Sequence, residues 1–147
     1  MEIKLITDHR EDYFEWLLLA DEQKELVEAY LYQGDMWALD DAGVKTVCIV
    51  IFKDEYTCEL KNLATLPSYQ GKGYGKKMIQ YLFSYYSSQY RYMEVGTGDS
   101  PKTIPFYEKC GFKRDHILPN FFLDHYDHLI IEDGVLLKDM IYLKKEL

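Results

Sequence analysis

Residues 66–77 read Leu66-Pro67-Ser68-Tyr69-Gln70-Gly71-Lys72-Gly73-Tyr74-Gly75-Lys76-Lys77, with glycine at every second position from Gly71 to Gly75. The segment before it, Glu59–Leu66, has strand character. The run after it places Met78, Ile79, Leu82, Phe83 and Tyr86 on one face at the spacing of a helix. A strand, a glycine-rich turn and a helix N-terminus in that order form a recurring phosphate-holding device. Glycine lets the backbone approach closely, first-turn N–H groups lack intrahelical partners, and the helix dipole favours an anion there. Lys72 and Lys76 add positive charge at this turn in a chain of net charge −8. The same residues also suit a tight turn with a solvated lysine cluster, so spacing has to decide.

Spacing argues against two nucleotide devices. A P-loop needs four residues between its first glycine and a Gly-Lys-Ser/Thr, and the chain has no such run. The dinucleotide fingerprint G-x-G-x-x-G is missed, because Gly71, Gly73 and Gly75 read G-x-G-x-G. About twenty positions on, where an acidic ribose ligand belongs, stands Tyr90-Arg91-Tyr92. Gln70–Gly75 instead resembles the Q/R-x-x-G-x-G/A loop of the GNAT superfamily of N-acetyltransferases, whose backbone amides hold the pyrophosphate of acetyl-coenzyme A.

Working outward, Glu2–Ile6 reads as a short strand, and Asp12–Leu19 and Glu22–Leu31 as helices with Gly34 as a stop. Asp35–Leu39 is a short strand, Asp41-Ala42-Gly43 a turn, and Val44–Phe52 a β-branched run fit for a central strand. Tyr56–Leu66 follows as a strand ended by Pro67, then the Gly75–Gln89 helix, a strand over Tyr92–Gly96 and a loop over Thr97–Ser100. Thr103–Cys110 reads as a short helix with Gly111 as a left-handed C-cap and Phe112 as the apolar contact beyond it. Two strands, Lys113–Leu118 and Val135–Lys144, flank the aromatic segment Asn120–Ile131. This order predicts a mixed α/β fold with a mainly antiparallel sheet, which is also the element order of the GNAT fold.

Length and composition bound the rest. At 147 residues the chain is expected to form one domain, residues 1–147, and 48% hydrophobic with 16% aromatic content suits a folded core. No apolar run reaches membrane-spanning length, the N-terminus carries no signal-peptide pattern, and three cysteines without C-x-x-C spacing fit a reducing cytoplasm. The acidic balance disfavours nucleic acid and anionic membranes as partners and leans toward a cationic substrate.

A second stretch, Ile104-Pro105-Phe106-Tyr107-Glu108-Lys109-Cys110-Gly111-Phe112, is similar to the family's F-Y-x-x-x-G-F signature and stands at the expected distance from the glycine loop. The longer run from Glu94 to Ser100, with Asp139-Met140-Ile141 near the end, resembles a small bacterial GNAT subgroup.

The chemistry implied is acetyl transfer from a thioester to an amine. It needs a neutral amine and a protonated leaving thiolate, and an alkyl amine near ~10.4 and a thiol near ~8.5 both need help at neutral pH. By the resemblance, Tyr107 lies next to the departing sulfur as its acid; by position alone it reads as a core tyrosine on a short amphipathic helix. Glu59 matches the general-base position of the histone-acetylating branch, and reads otherwise as a solvent-facing strand residue. Asn62 is a candidate to orient a water for it.

The resemblance also implies that Leu63, Ala64, Thr65 and Leu66 line the pantetheine arm with backbone groups, the Leu63 amide near the thioester oxygen and the Thr65 amide on the arm. Gln70, Gly71, Lys72, Gly73, Tyr74 and Gly75 would hold the pyrophosphate. Where many members carry an asparagine, this chain has Ser100, either a cofactor contact or a cap for the coming helix, with Pro105 requiring that helix to begin near Thr103. Tyr13, Trp16, Phe121, Phe122 and Tyr126 are candidates for substrate contact or for core.

His125-x-x-His128 with Asp124 and Asp127 lacks clear third and fourth ligands, so no metal is expected, and Cys110 lacks an activating partner. The expectation is an acetyl-CoA-dependent N-acetyltransferase acting on a primary amine by direct attack in a ternary complex. Open alternatives are a protein amine as acceptor, a non-catalytic acyl-CoA sensor, and assembly as a homodimer.

Overall fold

The computed structural model describes residues 1–147. Seven strands form one sheet in the order β1-β2-β3-β4-β5-β9-β6: β1 Glu2–Ile6, β2 Asp35–Asp40, β3 Val44–Phe52, β4 Thr57–Thr65, β5 Tyr92–Gly98, β6 Lys113–Leu118 and β9 Met140–Glu146. Every neighbour pair is antiparallel except β4 with β5, as the mixed, mainly antiparallel reading requires.

Helices cover both faces. On one side lie α3 (Tyr74–Tyr86) and α4 (Thr103–Cys110), packing Met78, Ile79, Leu82, Tyr86, Ile104 and Cys110 on Trp37, Leu39, Cys48, Val50, Cys58 and Leu60. On the other lie α1 (Phe14–Ala20) and α2 (Lys24–Tyr30), packing Leu17, Val27 and Tyr30 on Met36, Ala38, Val47, Ile49 and Ala64. Alternate residues of β2 and β3 therefore meet different helical layers and are buried either way. This is why the sequence of β3 is a continuous apolar run rather than an alternating one. A buried chain, Trp37 Nε1 to Tyr86 Oη (3.0 Å) and Tyr86 Oη to Asp35 Oδ2 (2.6 Å), ties the end of α3 to β2.

Several elements differ from the sequence-based expectation. The first helix is a 3₁₀ turn, Arg10–Tyr13, continued by α1 from Phe14, and the second begins at Lys24 rather than Glu22. Strand β5 runs two residues further, because Thr97 and Gly98 find partners in Ile141 and Met140.

The expected strand over Val135–Lys144 is two elements. Val135–Leu136 (β8) pairs with Ile131–Glu132 (β7) in a separate hairpin, and only Met140–Glu146 enters the main sheet. The hairpin turns at Asp133-Gly134, both left-handed (φ 50 and 78), and an Asp-Gly dipeptide is itself the sequence signal for such a turn. Within Asn120–Ile131 lies a short helix, α5 (Phe121–His125). No helix is long and apolar enough to cross a membrane.

Candidate active site

The glycine turn opens α3 as its composition requires. Gly71 and Gly73 adopt φ of +77 and +85, which L side chains rarely take, and no atom crowds either position. Gly73 is the N-cap, with no side chain capping the helix, and the first helical bond runs from the Lys77 amide to the Gly73 carbonyl (3.0 Å). The six amides from Gly71 to Lys76 donate to no carbonyl or side chain of the protein. Such a run of free donors at a dipole's positive end is a cradle for a multiply charged anion. Gln70 braces the turn from below, its Nε2 donating to the Thr65 carbonyl (3.0 Å). The Tyr74 ring is turned away, its hydroxyl donating to Asp41 Oδ2 (2.8 Å), so that of Tyr74 only the backbone faces the cradle.

Next to the cradle the sheet splits. β4 and β5 pair in parallel from Thr57↔Tyr92 to Leu60↔Val95 and then separate, β4 staying with β3 and β5 with β9. The Leu66 amide donates to the Lys45 carbonyl across β3 (3.2 Å), and antiparallel alternation then aims Asn62 and Ala64 at β3 as well. Leu63 and Thr65, by the same alternation, turn their N–H and C=O groups into the split. Of the four residues expected to line the arm, Leu63 and Thr65 thus turn backbone toward the split, while the amides of Ala64 and Leu66 point to β3; Ala64 still borders the cavity that opens there.

A cavity of about 650 Å³ opens into the split. Its walls carry Glu59 and Asn62 from β4, Ser100 and Tyr107 from the region of α4, Asp21 and Tyr30 from the helical layer, and Phe121, Phe122, Tyr126 and Glu132 from the aromatic segment and its hairpin. Tyr13 and Trp16, candidates for substrate contact, pack instead against the core between the sheet and α1–α2 and border no part of this cavity. The residues sequence reasoning overlooked are Asp21, Tyr30 and Glu132. For Glu132 the Asp133-Gly134 turn signal was legible; for the other two there was no local signal.

Glu59 is 4% exposed, which removes the solvent-facing alternative. It faces Glu94 across the parallel pair, with Lys53 at 3.7 Å and Lys61 at 3.8 Å. Burial pushes its carboxyl above the ordinary range, outweighing the pull of Lys61 and Lys53 in the opposite direction.

Simple alternation would set Asn62 on the opposite face from Glu59. A β-bulge prevents this: Val50 pairs with Leu60 and Ile49 with Asn62, leaving Lys61 as the extra residue. Beyond the bulge Asn62 points toward α1 and α2, where its Nδ2 donates to the Leu17 carbonyl (3.0 Å) and the Tyr30 hydroxyl (2.9 Å).

Tyr107 packs its ring edge-on to Phe106 and Phe112, with centroids 5.1 and 5.8 Å away. Burial raises its phenol well above the ordinary value, and no hydrogen bond contributes to that shift. Ser100 is buried (2% exposed) and its Oγ accepts from the Lys102 amide (3.3 Å), a turn leading into α4, which begins at Thr103 as Pro105 demanded. Gly111 caps α4 in the left-handed conformation, with the Phe112 amide returning to the Tyr107 carbonyl (3.1 Å). His125 stacks on Phe121, and His128 bridges Asp127 and Glu22.

Residues 32–114, which include the cradle, both splayed strands and Tyr107, match the family model of the GNAT acetyltransferase domain. The chain belongs to the GNAT acetyltransferase family. It is 34% identical over its full length, and over 97% of the relative's, to an uncharacterised N-acetyltransferase, YvbK, of Bacillus subtilis. Its fold is similar to a GNAT acetyltransferase of Elizabethkingia anophelis crystallised with acetyl-CoA bound (TM-score 0.93, 31% identity, covering 99% of this chain and 97% of that one). A Bacillus subtilis acetyltransferase in complex with CoA is also similar (TM-score 0.89, 32% identity, covering 99% and 98%). The chain is thus an acetyltransferase of a family that uses acetyl-CoA as co-substrate and needs no metal.

Proposed function

We propose that this acetyltransferase moves the acetyl group of acetyl-CoA to a primary amine of a cationic small molecule, by direct attack within a ternary complex. The observation that carries this reading is the junction of two features: six unpaired amides beside a split in the sheet, opening onto a cavity that holds both a buried carboxylate and a half-buried phenol. The residues present fit the co-substrate. Gly71–Lys76 offer main-chain donors for a pyrophosphate, with Lys72 and Lys76 adding charge, and the Leu63 backbone and the Thr65 amide offer an edge to which an extended amide-bearing arm adds like a strand. Ser100 lines the same cavity.

Acetyl-CoA supplies an activated acetyl group. Glu59, whose carboxyl burial pushes above the ordinary range, takes a proton in its ionised form from the incoming ammonium, directly or through water. The Leu63 N–H faces the split, where it can donate to a thioester oxygen as negative charge develops there. Tyr107 keeps its proton to high pH and so presents a hydroxyl donor to the departing sulfur.

Acidic groups on the cavity wall, Asp21, Glu59, Glu132 and Asp133, together with Phe121, Phe122, Tyr126 and Tyr30, suit an acceptor with positive charge and an apolar body. Both catalytic candidates border one cavity, which favours catalysis over acyl-CoA sensing. A thiol-release assay with acetyl-CoA and a panel of aryl-alkyl amines, polyamines and amino sugars tests the reading. Amine-dependent thiol release is expected; CoA binding by calorimetry without any such release refutes it.

A further inference from the structure

Three lysines and two carboxylates meet on the face of the sheet that carries Glu59. Glu59 and Glu94 are direct partners in the parallel β4–β5 pair, so their side chains leave the sheet on the same side, and both are buried. Lys53, just past the end of β3, places its Nζ 2.8 Å from Glu94 Oε2 and 3.7 Å from Glu59 Oε1. Lys61 stands 3.8 Å from Glu59 Oε2, and Lys144 of β9 stands 3.7 Å from Glu94 Oε1. Of these four contacts only that between Lys53 and Glu94 has the length of a hydrogen bond. The shared cation is therefore given mainly to Glu94, although Glu59 alone of the two carboxylates borders the cavity.

Other titratable groups frame the cluster. Tyr142 of β9 has Lys53 over its ring (4.9 Å) and stacks on His116 of β6, which pairs with Asp115 (2.8 Å). Tyr92 of β5 has Lys144 over its ring (4.8 Å). From the helical layer come Tyr30, with Lys61 5.6 Å from its ring centre, and Asp21, to which Tyr30 donates (3.1 Å).

We propose that Glu94 is a positioning residue for the reaction, holding Lys53 off Glu59 so that Glu59 stays a strong enough base to deprotonate the acceptor amine, a proposal that rests on Glu59 being that base. The charge count gives the direction. With Glu94 in place, three cations face two anions. Without its charge they face Glu59 alone, and Lys53 is freed to turn to the oxygen already 3.7 Å away. A carboxylate in direct contact with a lysine holds a proton less well, and so takes one from an ammonium less readily. The neighbouring charge of Glu94 acts in the same sense, adding to burial in pushing the Glu59 carboxyl up.

The test follows Glu59 in two ways. One is the side-chain carboxyl signal of carbon-13-labelled glutamate, identified by its loss in Glu59→Gln. The other is the acidic limb of kcat for a primary amine that the wild type acetylates. Glu94→Gln, which keeps the shape without the charge, should lower the carboxyl midpoint by about one pH unit, with the acidic limb moving down beside it and the plateau falling roughly threefold. Lys53→Met should move midpoint and limb up by a similar amount. The double variant loses one charge of each sign and should return both to within about half a unit of wild type.

A carboxyl midpoint within about 0.3 unit of wild type in a folded Glu94→Gln enzyme overturns the proposal, since a residue that only ties the strands together would leave the titration in place. If Glu94→Gln does not fold, Lys53→Met decides, and a midpoint that stays put or falls is equally fatal. A carboxyl midpoint that moves while the limb of kcat stays where it was shows that Glu59 is not the base, and the proposal goes with that reading. A limb that vanishes in Glu59→Gln yet is unmoved by Glu94→Gln leaves Glu59 as the base and refutes this proposal alone.

Discussion

Tyr107→Phe isolates a single hydroxyl. The ring packs against Phe106 and Phe112 and the hydroxyl makes no hydrogen bond that shifts its titration, so phenylalanine keeps the contacts and breaks no bond of the fold. Stability should change by less than about 1 kcal/mol. The catalytic cost follows from two proton affinities. A leaving thiol resembles cysteine near ~8.5, and an ordinary phenol lies near ~10, with burial moving Tyr107 higher still. Complete proton transfer to the sulfur is therefore uphill by at least about 1.5 units, or roughly 2 kcal/mol. The phenol acts mainly through a hydrogen bond to the developing thiolate, worth about 1.5–3 kcal/mol to a charged partner, or roughly 10- to 150-fold in rate. Thiol release in the steady state should show that loss in kcat, while calorimetry finds CoA affinity within about twofold of wild type, since the deleted atom serves the sulfur only as charge appears there. A kcat within about threefold of wild type, in a protein that melts normally, refutes the assignment.

Glu59→Gln should lower kcat by about a hundredfold. Only the ionised carboxylate accepts a proton, and burial raises its pKa above 4.5, so wild-type activity falls as pH drops through that raised value. In the variant this acidic limb should disappear from the pH–rate profile, and an unchanged limb removes Glu59 as the base. Gly73→Ala places a side chain at φ +85, a strain of about 1–2 kcal/mol that the turn relieves by rotating its amides. CoA affinity by calorimetry should fall at least about fivefold, and an unchanged affinity removes the cradle from the binding site. Tyr86→Phe strands the buried Trp37 N–H and Asp35 carboxylate, and urea unfolding should report a loss of about 2–3 kcal/mol with room-temperature kcat preserved.

Some of this site was readable before any fold was known. The Gln70–Gly75 turn, the α3 stripe and the Gly111 cap depend on residues within a few positions of each other. Their physics is local: backbone freedom at glycine, orphan amides at a helix start, a left-handed residue at a helix end. The two motifs around Gly71 and Tyr107 were legible for the same reason, and they carried the family.

What strand composition left open was decided by pairing partners far along the chain. Glu59 alternates with Leu60 on paper, and only β3, β5 and the lysines around it make its carboxylate a buried one. Asn62 reads as facing away from Glu59 until the bulge against Ile49 and Val50 turns it back. Val135–Lys144 has strand character throughout, yet it divides because Ile131–Glu132 captures its first residues and β5 with β6 captures its last. Local sequence therefore determined the anion cradle and the helix that bears Tyr107, because the forces shaping them act within one or two turns of chain. The tertiary structure alone decided which side chains share the cavity, because strand register and bulges are set by hydrogen bonds to residues that are distant in sequence.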